Sequence, residues 1–265
     1  MKRVSLVTIS FNQAEFVEQT ILSVLAQDYP DIEYIVVDPG STDGSREIIE
    51  RYRPKIAKII FRPDRGAADG LNCGFGEATG EILGFLNSDD FLLPGVIGRV
   101  VEYFQLHPQC DIVMGNGFIV DAHGRIQRHV RARDFTVWRY LYFGMRFLQQ
   151  STFFRAEAFR RCPGFNINNR SCWDGELFVT MVNAGAVVGY LDADLAVFRI
   201  HDASISGSGS LQDTYRKDCR RIFREIRGRD WRVTDELLRF FYRCEGLLLR
   251  AFSGLQAGGR KKDFA

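Results

Sequence analysis

The chain is poor in proline (7 of 265 residues), cysteine (6) and methionine (4), and none of its apolar runs approaches membrane-crossing length. A helix that crosses a bilayer needs about 20 consecutive apolar residues, so a membrane-spanning reading is disfavoured. The cysteines, at 73, 110, 162, 172, 219 and 244, form no C-x-x-C pair, and with only 4 histidines they make no zinc-type spacing. A disulfide scaffold and a zinc module are therefore not expected, and reduced thiols in a cytoplasmic protein are. Charge of one sign is also missing: 35 basic residues stand against 33 acidic ones, a net of +2. That balance points to no nucleic-acid partner and to no acidic carrier. The opening MKRVSLVTISFNQ begins basic, but Ser5, Thr8, Ser10 and Asn12 interrupt any signal-peptide core. What is present is an ordinary globular composition, 46% hydrophobic with 25 glycines and no internal repeat, sufficient for one large α/β domain.

Apolar periodicity predicts alternating strands and helices over about the first 120 residues. Strands are expected at Val4 to Phe11, Tyr34 to Val37, Ile56 to Phe61 and Ile82 to Leu86. Between them, Phe16-Ile21-Val24-Leu25, Ile48-Ile49-Tyr52 and Leu71-Phe75-Ala78 recur at helical spacing, and Pro94 precedes a helix over Val96 to Leu106. Such alternation implies right-handed βαβ units and a mainly parallel sheet flanked by helices. Beyond residue 110 the pattern changes. Ile112 to Val120 and Ile126 to Val130 flank Asp121-Ala122-His123-Gly124 as a hairpin; a helical stretch is expected at Phe135 to Phe147. A strand follows at Ser151 to Phe154, a helix at Trp173 to Ala184, and two further strands at Val187 to Leu191 and Val197 to Ile200. Residues 204–210, SISGSGS, read as a linker or mobile loop ahead of two C-terminal helices.

In an open parallel sheet, ligands bind beyond the carboxyl ends of the strands. Polar residues gather there: Thr8, Ser10 and Asn12 after the first strand, Asp38 and Asp43 after the second, Asp64 and Asp69 after the third, and Asn87, Ser88, Asp89 and Asp90 after the fourth. Singly each of these suits a turn or a helix cap. Together, so many carboxylates on one rim repel one another unless a cation or a hydrogen-bonding ligand joins them. A dinucleotide is not that ligand, because SFNQAEF after the first strand has no glycine; Gly74, Gly76 and Gly80 have the wrong spacing and precede a strand. No Walker loop is present, and Gly40 stands where a calcium loop needs an oxygen donor. A nucleotide held by carboxylates and a divalent metal fits better: an aspartate can accept from a base N–H while another holds the ion against a diphosphate.

Three ordered blocks make the reading specific. VSLVTISFNQ, IVVDPGSTDGS and DRGAADGLNCGFGEATGEILGFLNSDD together resemble the nucleotide-binding half of the family 2 glycosyltransferases, and the resemblance extends over about residues 3–205. It implies a single GT-A-like α/β domain over 1–205, with a nucleotide half (1–110) and an acceptor half (111–205). It further implies that Asp38 recognises the base, Thr8 and Ser10 line its pocket with Asn12 nearby, and Asp69 lies beside the nucleotide. Asn87-Ser88-Asp89 occupies the place of the family's Asp-x-Asp, making Asp89 the Mn2+ or Mg2+ ligand, Asp90 a supporting carboxylate, and Asn87 and Ser88 nucleotide contacts. Asn87 departs from the usual aspartate and brings no charge; Pro39 replaces a frequent acidic residue. By the same resemblance Asp174, opening the WDGELF helix, is the catalytic base with Glu176 as runner-up. His201 in FRIHDASIS returns to the metal, with SISGSGS closing over the donor, and Gln150 and Trp173 border the acceptor together with Glu176.

The last segment differs in charge: residues 211–265 hold 14 basic and 8 acidic residues. Its helices are amphipathic, which leaves three readings open: packing on the domain with a solvated basic face, contact with the inner face of an anionic membrane, or homodimerisation. The implied activity is an inverting, metal-dependent transfer of a hexose from a nucleoside-diphosphate sugar, a UDP-sugar by resemblance, to a glycan or lipid-linked acceptor in polysaccharide assembly at the cell envelope. The competitors are a nucleotide-sugar-binding protein that has lost chemistry and a sugar-1-phosphate nucleotidyltransferase. The latter calls for a Gly-rich, Arg/Lys-containing loop after the first strand, which is missing.

Overall fold

The computed structural model describes residues 2–143, 145, 147–202, 204, 207 and 211–254, with side chains as far as 245. Four parallel strands form its first half: β1 (Val4–Ile9), β2 (Ile32–Asp38), β3 (Lys58–Phe61) and β4 (Ile82–Asn87). They pair in the order β3-β2-β1-β4. Helices α1 (Val17–Leu25), α2 (Ser45–Arg51), α3 (Ala67–Gly76) and α4 (Val96–Leu106) supply the crossovers. The continuous apolar runs of β1 and β4 follow from burial on both faces. Leu6, Tyr34 and Val36 pack with Ile21 and Val24 of α1 and Val100 and Phe104 of α4. Val7, Ile35 and Val37, one residue along, pack with Leu71 and Phe75 of α3 on the opposite face. This period of two decides which rim residues share a side: Thr8 follows Leu6 there, and Asp38 follows Val36.

The second half continues the sheet as β4-β8-β6-β9-β5, with β7 on the outer side of β6. These are β5 (Phe91–Leu92), β6 (Ile112–Val120), β7 (Ile126–Val130), β8 (Thr152–Arg155) and β9 (Val188–Arg199). The mainly parallel α/β sheet expected from the sequence is observed, as is the β6–β7 hairpin. The two strands expected between 187 and 200 are one, β9, running parallel to β6 with register shifts on either side of Asn116. The apolar pattern breaks at Asp192-Ala193-Asp194 because the ladder bulges there, not because the strand ends. A Cβ at Gly117 would collide with the Ala196 carbonyl, so only glycine lets β9 approach this closely.

Helix α5 (Val137–Leu141) is far shorter than the expected Phe135 to Phe147. Thr136 caps its start by accepting from the Arg139 N–H, and Phe143 adopts φ +61°, which terminates it. Helix α6 (Ala156–Arg160) follows β8, and α7 (Trp173–Asn183) precedes β9.

The C-terminal helices α8 (Gln212–Arg227) and α9 (Val233–Gly254) pack on the domain. Ile222 and Phe223 enter the same apolar cluster as α3, α5 and α7, and Trp231 and Tyr242 lie against it. A polar clamp holds the entry to α9. Buried Asp235 accepts from the Tyr142 hydroxyl at 2.7 Å, from both Arg229 Nη atoms at 2.7 and 2.8 Å, and from the Arg232 N–H at 2.7 Å. Arg229 first, then the backbone and Tyr142 donors, outweigh burial and hold the Asp235 carboxyl below the usual range. A depressed carboxylate pKa contributes stability that is present above the unfolded value and lost as pH falls through the folded one. Asp235→Ala, which leaves Arg229 and Tyr142 without their partner, is expected to cost about 3 kcal/mol locally. Hydrogen exchange should then show α9 losing protection while the β1–β4 amides keep theirs, and wild-type α9 should loosen in the same way under acid conditions.

Candidate active site

The loops after β1 and β2 are laced together at the carboxyl edge of the sheet. Asn12, at φ +52°, donates its N–H to Ser41 Oγ at 2.8 Å and accepts from the Thr42 N–H at 3.0 Å. Asp43 accepts from the Ala14 N–H at 2.8 Å and from the Ser45 N–H and hydroxyl at 3.0 and 2.6 Å. Beneath this collar, fully buried Asp38 ends β2. It accepts from the Gly40 and Ser41 N–H groups, from the Ser41 hydroxyl at 2.5 Å, and from Arg46 Nε at 2.8 Å. Arg46, whose guanidinium lies 4.5 Å over the Phe61 ring, is a rim cation that sequence reasoning missed.

Thr8 is buried and accepts the Tyr34 hydroxyl at 3.0 Å. Ser10, the first residue beyond β1, is also buried, and its hydroxyl has no hydrogen-bond partner among the described residues. A buried orphan hydroxyl is uncommon, and this one sits at the carboxyl edge of the sheet, where open parallel sheets bind their ligands. Asp69, in the first turn of α3, accepts from the N–H and Nε of Arg65, which hold its carboxyl low. Asp64 is a third carboxylate of these loops and accepts from the Gly66 N–H at 2.8 Å. Burial pushes its carboxyl up and the Gly66 N–H pulls it back, while the Asp69 and Asp38 charges add to the rise. The second and third loops thus bring three carboxylates within electrostatic reach of one another.

The fourth loop and the end of β9 build the densest cluster. Asp90 is fully buried, with one oxygen accepting from the Arg199 N–H at 2.9 Å and the other from Gln150 Nε2 at 2.6 Å and Asn87 Nδ2 at 3.2 Å. Burial first and then the Asp89 charge drive its carboxyl well above the usual range. Asp89 faces the other way, its Oδ2 3.1 Å from His201 Nε2. Burial raises the Asp89 carboxyl and His201 pulls it back. The His201 ring lies 4.7 Å from the Phe16 ring. Arg199, buried beneath, donates to the carbonyls of Asp89 and Ala122 and to Gln19 Oε1, and lies 4.8 Å over Phe16. Ser88 is buried, and its carbonyl accepts from the Thr20 hydroxyl at 2.9 Å.

The Asp89–His201 pair suits a divalent ion. Two ligands about 2.1 Å from an octahedral ion, at right angles, stand about 3.0 Å apart, close to the observed 3.1 Å. Asp90 is committed elsewhere, its oxygens accepting three donors. Among the described residues no cluster of three or more His, Cys, Asp or Glu could hold a metal. An ion here would take its remaining ligands from a diphosphate and water, the usual arrangement for Mg2+ on a nucleotide.

Asp174 opens α7, where its own N–H and that of Gly175 face its carboxylate; burial outweighs them and raises its pKa. The α7 start is anchored towards the rim. Arg170 donates to the Arg65 carbonyl ahead of α3, and Asn72 of α3 exchanges hydrogen bonds with the Phe165 backbone at 2.7 and 2.9 Å. Among the described residues no hydrogen bond or ion pair joins Asp174 to the Asp89 cluster.

The three residues expected at the acceptor each have protein partners. Gln150 serves Asp90, and Trp173 is buried in the core. Glu176 accepts four hydrogen bonds, at 2.7 and 2.7 Å from Arg221, 2.9 Å from Asn166 and 2.6 Å from Asn169. These donors outweigh burial and lower its carboxyl, so Glu176 is an ion-pair hub between α7 and α8 with no oxygen left for a proton. Ala203, Ile205, Ser206 and residues 208–210, which include most of the expected closing loop, lie outside the described residues.

The mainly parallel sheet flanked by helices, with its acidic rim and Asp–His pair, is a GT-A-like α/β fold. The signature of Glycosyl transferase family 2 matches residues 5–171, and the chain belongs to that family. An uncharacterized glycosyltransferase of Nostoc is 38% identical over 129 residues, 45% of this chain and 40% of that protein. A putative teichuronic acid biosynthesis glycosyltransferase, TuaG of Bacillus subtilis, is 39% identical over 90 residues, 33% of this chain and 36% of that protein. The alignments thus span half or less of these relatives' lengths. S. aureus TarS (residues 1–349) in complex with UDP-GlcNAc has the same fold, with TM-score 0.69 at 19% identity over 84% of this chain and 65% of that one. So has the mannosyltransferase PcManGT of Pyrobaculum calidifontis in complex with GDP-Man and Mn2+, with TM-score 0.65 at 18% identity over 98% of this chain and 76% of that one.

Proposed function

We propose that the protein transfers a sugar from a nucleoside-diphosphate sugar, a UDP-sugar in the first instance, to a hydroxyl of a glycan or lipid-linked acceptor, with inversion at the anomeric carbon. The observation that carries this reading is the 3.1 Å Asp89–His201 pair at the carboxyl edge of the sheet. Asp38 receives the base, after Ser41 or Arg46 yields one of its contacts, and Thr8, Ser10 and Asn12 shape that pocket. Asp69, Asn87 and Ser88 border the ribose and diphosphate.

Asp89 and His201 hold Mn2+ or Mg2+, which when bound neutralises charge on the departing diphosphate. Arg199, Phe16 and Asp90 keep that pair in place. Asp174 takes the proton of the incoming hydroxyl, a role for which burial prepares it by raising its affinity for protons. Gln150, Trp173 and Glu176 position the walls around the acceptor rather than exchange protons with it. Envelope polysaccharide assembly is the setting suggested by the relative named for teichuronic acid synthesis.

The test is nucleoside diphosphate release from a panel of UDP- and GDP-sugars, with and without Mn2+ and with acceptor extracts. Metal-dependent release from at least one donor is expected. Donor binding without turnover under every condition would favour the binding-protein reading.

A further inference from the structure

A cavity of about 940 Å³ lies away from the rim, between α5, α8 and α9. Its chemistry is of two kinds. Four arginines line it, Arg216, Arg220, Arg239 and Arg243, against a single carboxylate, Glu236. Arg216 and Arg239 have carboxylate neighbours at 3.4 and 3.3 Å, while Arg220 and Arg243 have none among the described residues. The rest of the wall is apolar or aromatic, including Leu141, Phe143, Tyr215 and Trp231. Arg239 lies 5.4 Å over the Phe143 ring, which keeps its guanidinium at the cavity edge.

The outer side of α9 continues this arrangement. Val233, Leu237, Phe240 and Phe241 are 86, 70, 67 and 62% exposed. At 100° per residue they make one stripe, next to the helix face that bears Glu236, Arg239 and Arg243. A water-facing aromatic and aliphatic stripe of this kind marks an interaction surface. Beside four guanidinium groups, it matches a ligand with an anionic head and a hydrocarbon tail. One lining residue belongs to the segment that leads into the proposed base: Ser171, three residues before Asp174.

We infer that this cavity binds the phosphate or diphosphate head of a lipid-borne acceptor, with Arg220 and Arg243 gripping the phosphate and the hydrocarbon chain leaving along the exposed stripe of α9. The inference rests on the transferase reading for the acceptor's role and adds the acceptor's class. Arginine suits it, since its planar fork engages two phosphate oxygens at once. The volume also falls within the range of small-ligand sites.

The experiment is sedimentation of the full chain with phosphatidylcholine vesicles carrying a few per cent of a long-chain prenyl diphosphate, compared with vesicles carrying phosphatidylglycerol at matched charge. Wild type should bind the first at least about tenfold more tightly, and Arg220→Glu with Arg243→Glu should abolish that preference. Both arginines are exposed, so the fold should survive. Phe240→Ser with Leu237→Ser should weaken binding to both vesicles. Equal affinity for the two vesicles, no binding at all, or indifference to the arginine changes would each overturn the inference. So would a lipid-free dimer that Phe240→Ser splits, since the stripe would then belong to a second copy. UDP-sugar binding, measured on the same samples, should be unchanged in the arginine variant. Its absence from wild type would sink the transferase reading, while the vesicle comparison would still decide the cavity.

Discussion

Replacing Asp174 by asparagine is expected to lower sugar transfer by about 10³-fold while leaving the affinity for the donor within a factor of two or three. General-base removal costs typically 10²–10⁴ in rate, and the amide is isosteric, so the α7 start should keep its shape. The pH profile sharpens the test. A base works deprotonated, so activity falls as pH drops through its pKa. Burial raises the Asp174 pKa, so the acid limb of kcat/KM should lie above the ordinary carboxylate range. That limb should be absent from whatever rate Asp174→Asn retains. Transfer at the wild-type rate, or an unchanged acid limb, would move the base elsewhere. Glu176 is a poor replacement, because its four donors stabilise the charged carboxylate and make it a weak base. Glu176→Gln should instead loosen α8 from α7, visible as lower thermal stability before any loss of chemistry.

Asp89→Ala should abolish the metal dependence of donor binding. Loss of a residue that merely orients a metal ligand costs about 10–100-fold in affinity, so loss of a ligand itself should exceed that. His201→Ala should follow it in direction, and the double variant should add little, because the two act on one ion. Both groups bind metal only when deprotonated, so Mn2+ affinity should fall with decreasing pH, and the raised Asp89 pKa starts that fall earlier than for a free carboxylate. Calorimetric titration of Mn2+ with UDP present reads this directly. An unchanged titration in Asp89→Ala would remove the ligand assignment. Asp90→Ala differs in kind: three donors lose their acceptor, Arg199 among them, so misplacement of His201 and loss of stability are expected together.

The alternation of apolar runs with helical spacing predicted the βαβ half, since each buried parallel strand carries its own signal in adjacent residues. The same local signal misled at 187–200. Asp192 and Asp194 look like a break, yet Gly115 and Gly117 on a distant strand let the ladder bulge and continue. It also overextended α5, where a helical apolar pattern outlasts the backbone turn at Phe143. Of the rim, the three motif blocks singled out Asp38 and Asp89 by type and order, and the later WDGELF segment singled out Asp174. Gln150 was named only through the family resemblance; that its amide donates to Asp90, 60 positions earlier in the chain, no local pattern announces.

What the order of residues determined by itself is the sheet of parallel strands, the acidic edge at their carboxyl ends and the basic, amphipathic character of the tail. Each follows from periodicity or composition within a window of a few residues. Only the tertiary structure decided which carboxylate faces which partner. Asp90 is enclosed by donors from three separate segments and Asp89 is left to His201, while Glu176 is taken by Arg221 of a helix that the sequence could not orient. Burial and pairing energies depend on distances between groups far apart in the chain, and those distances exist only once the fold has closed.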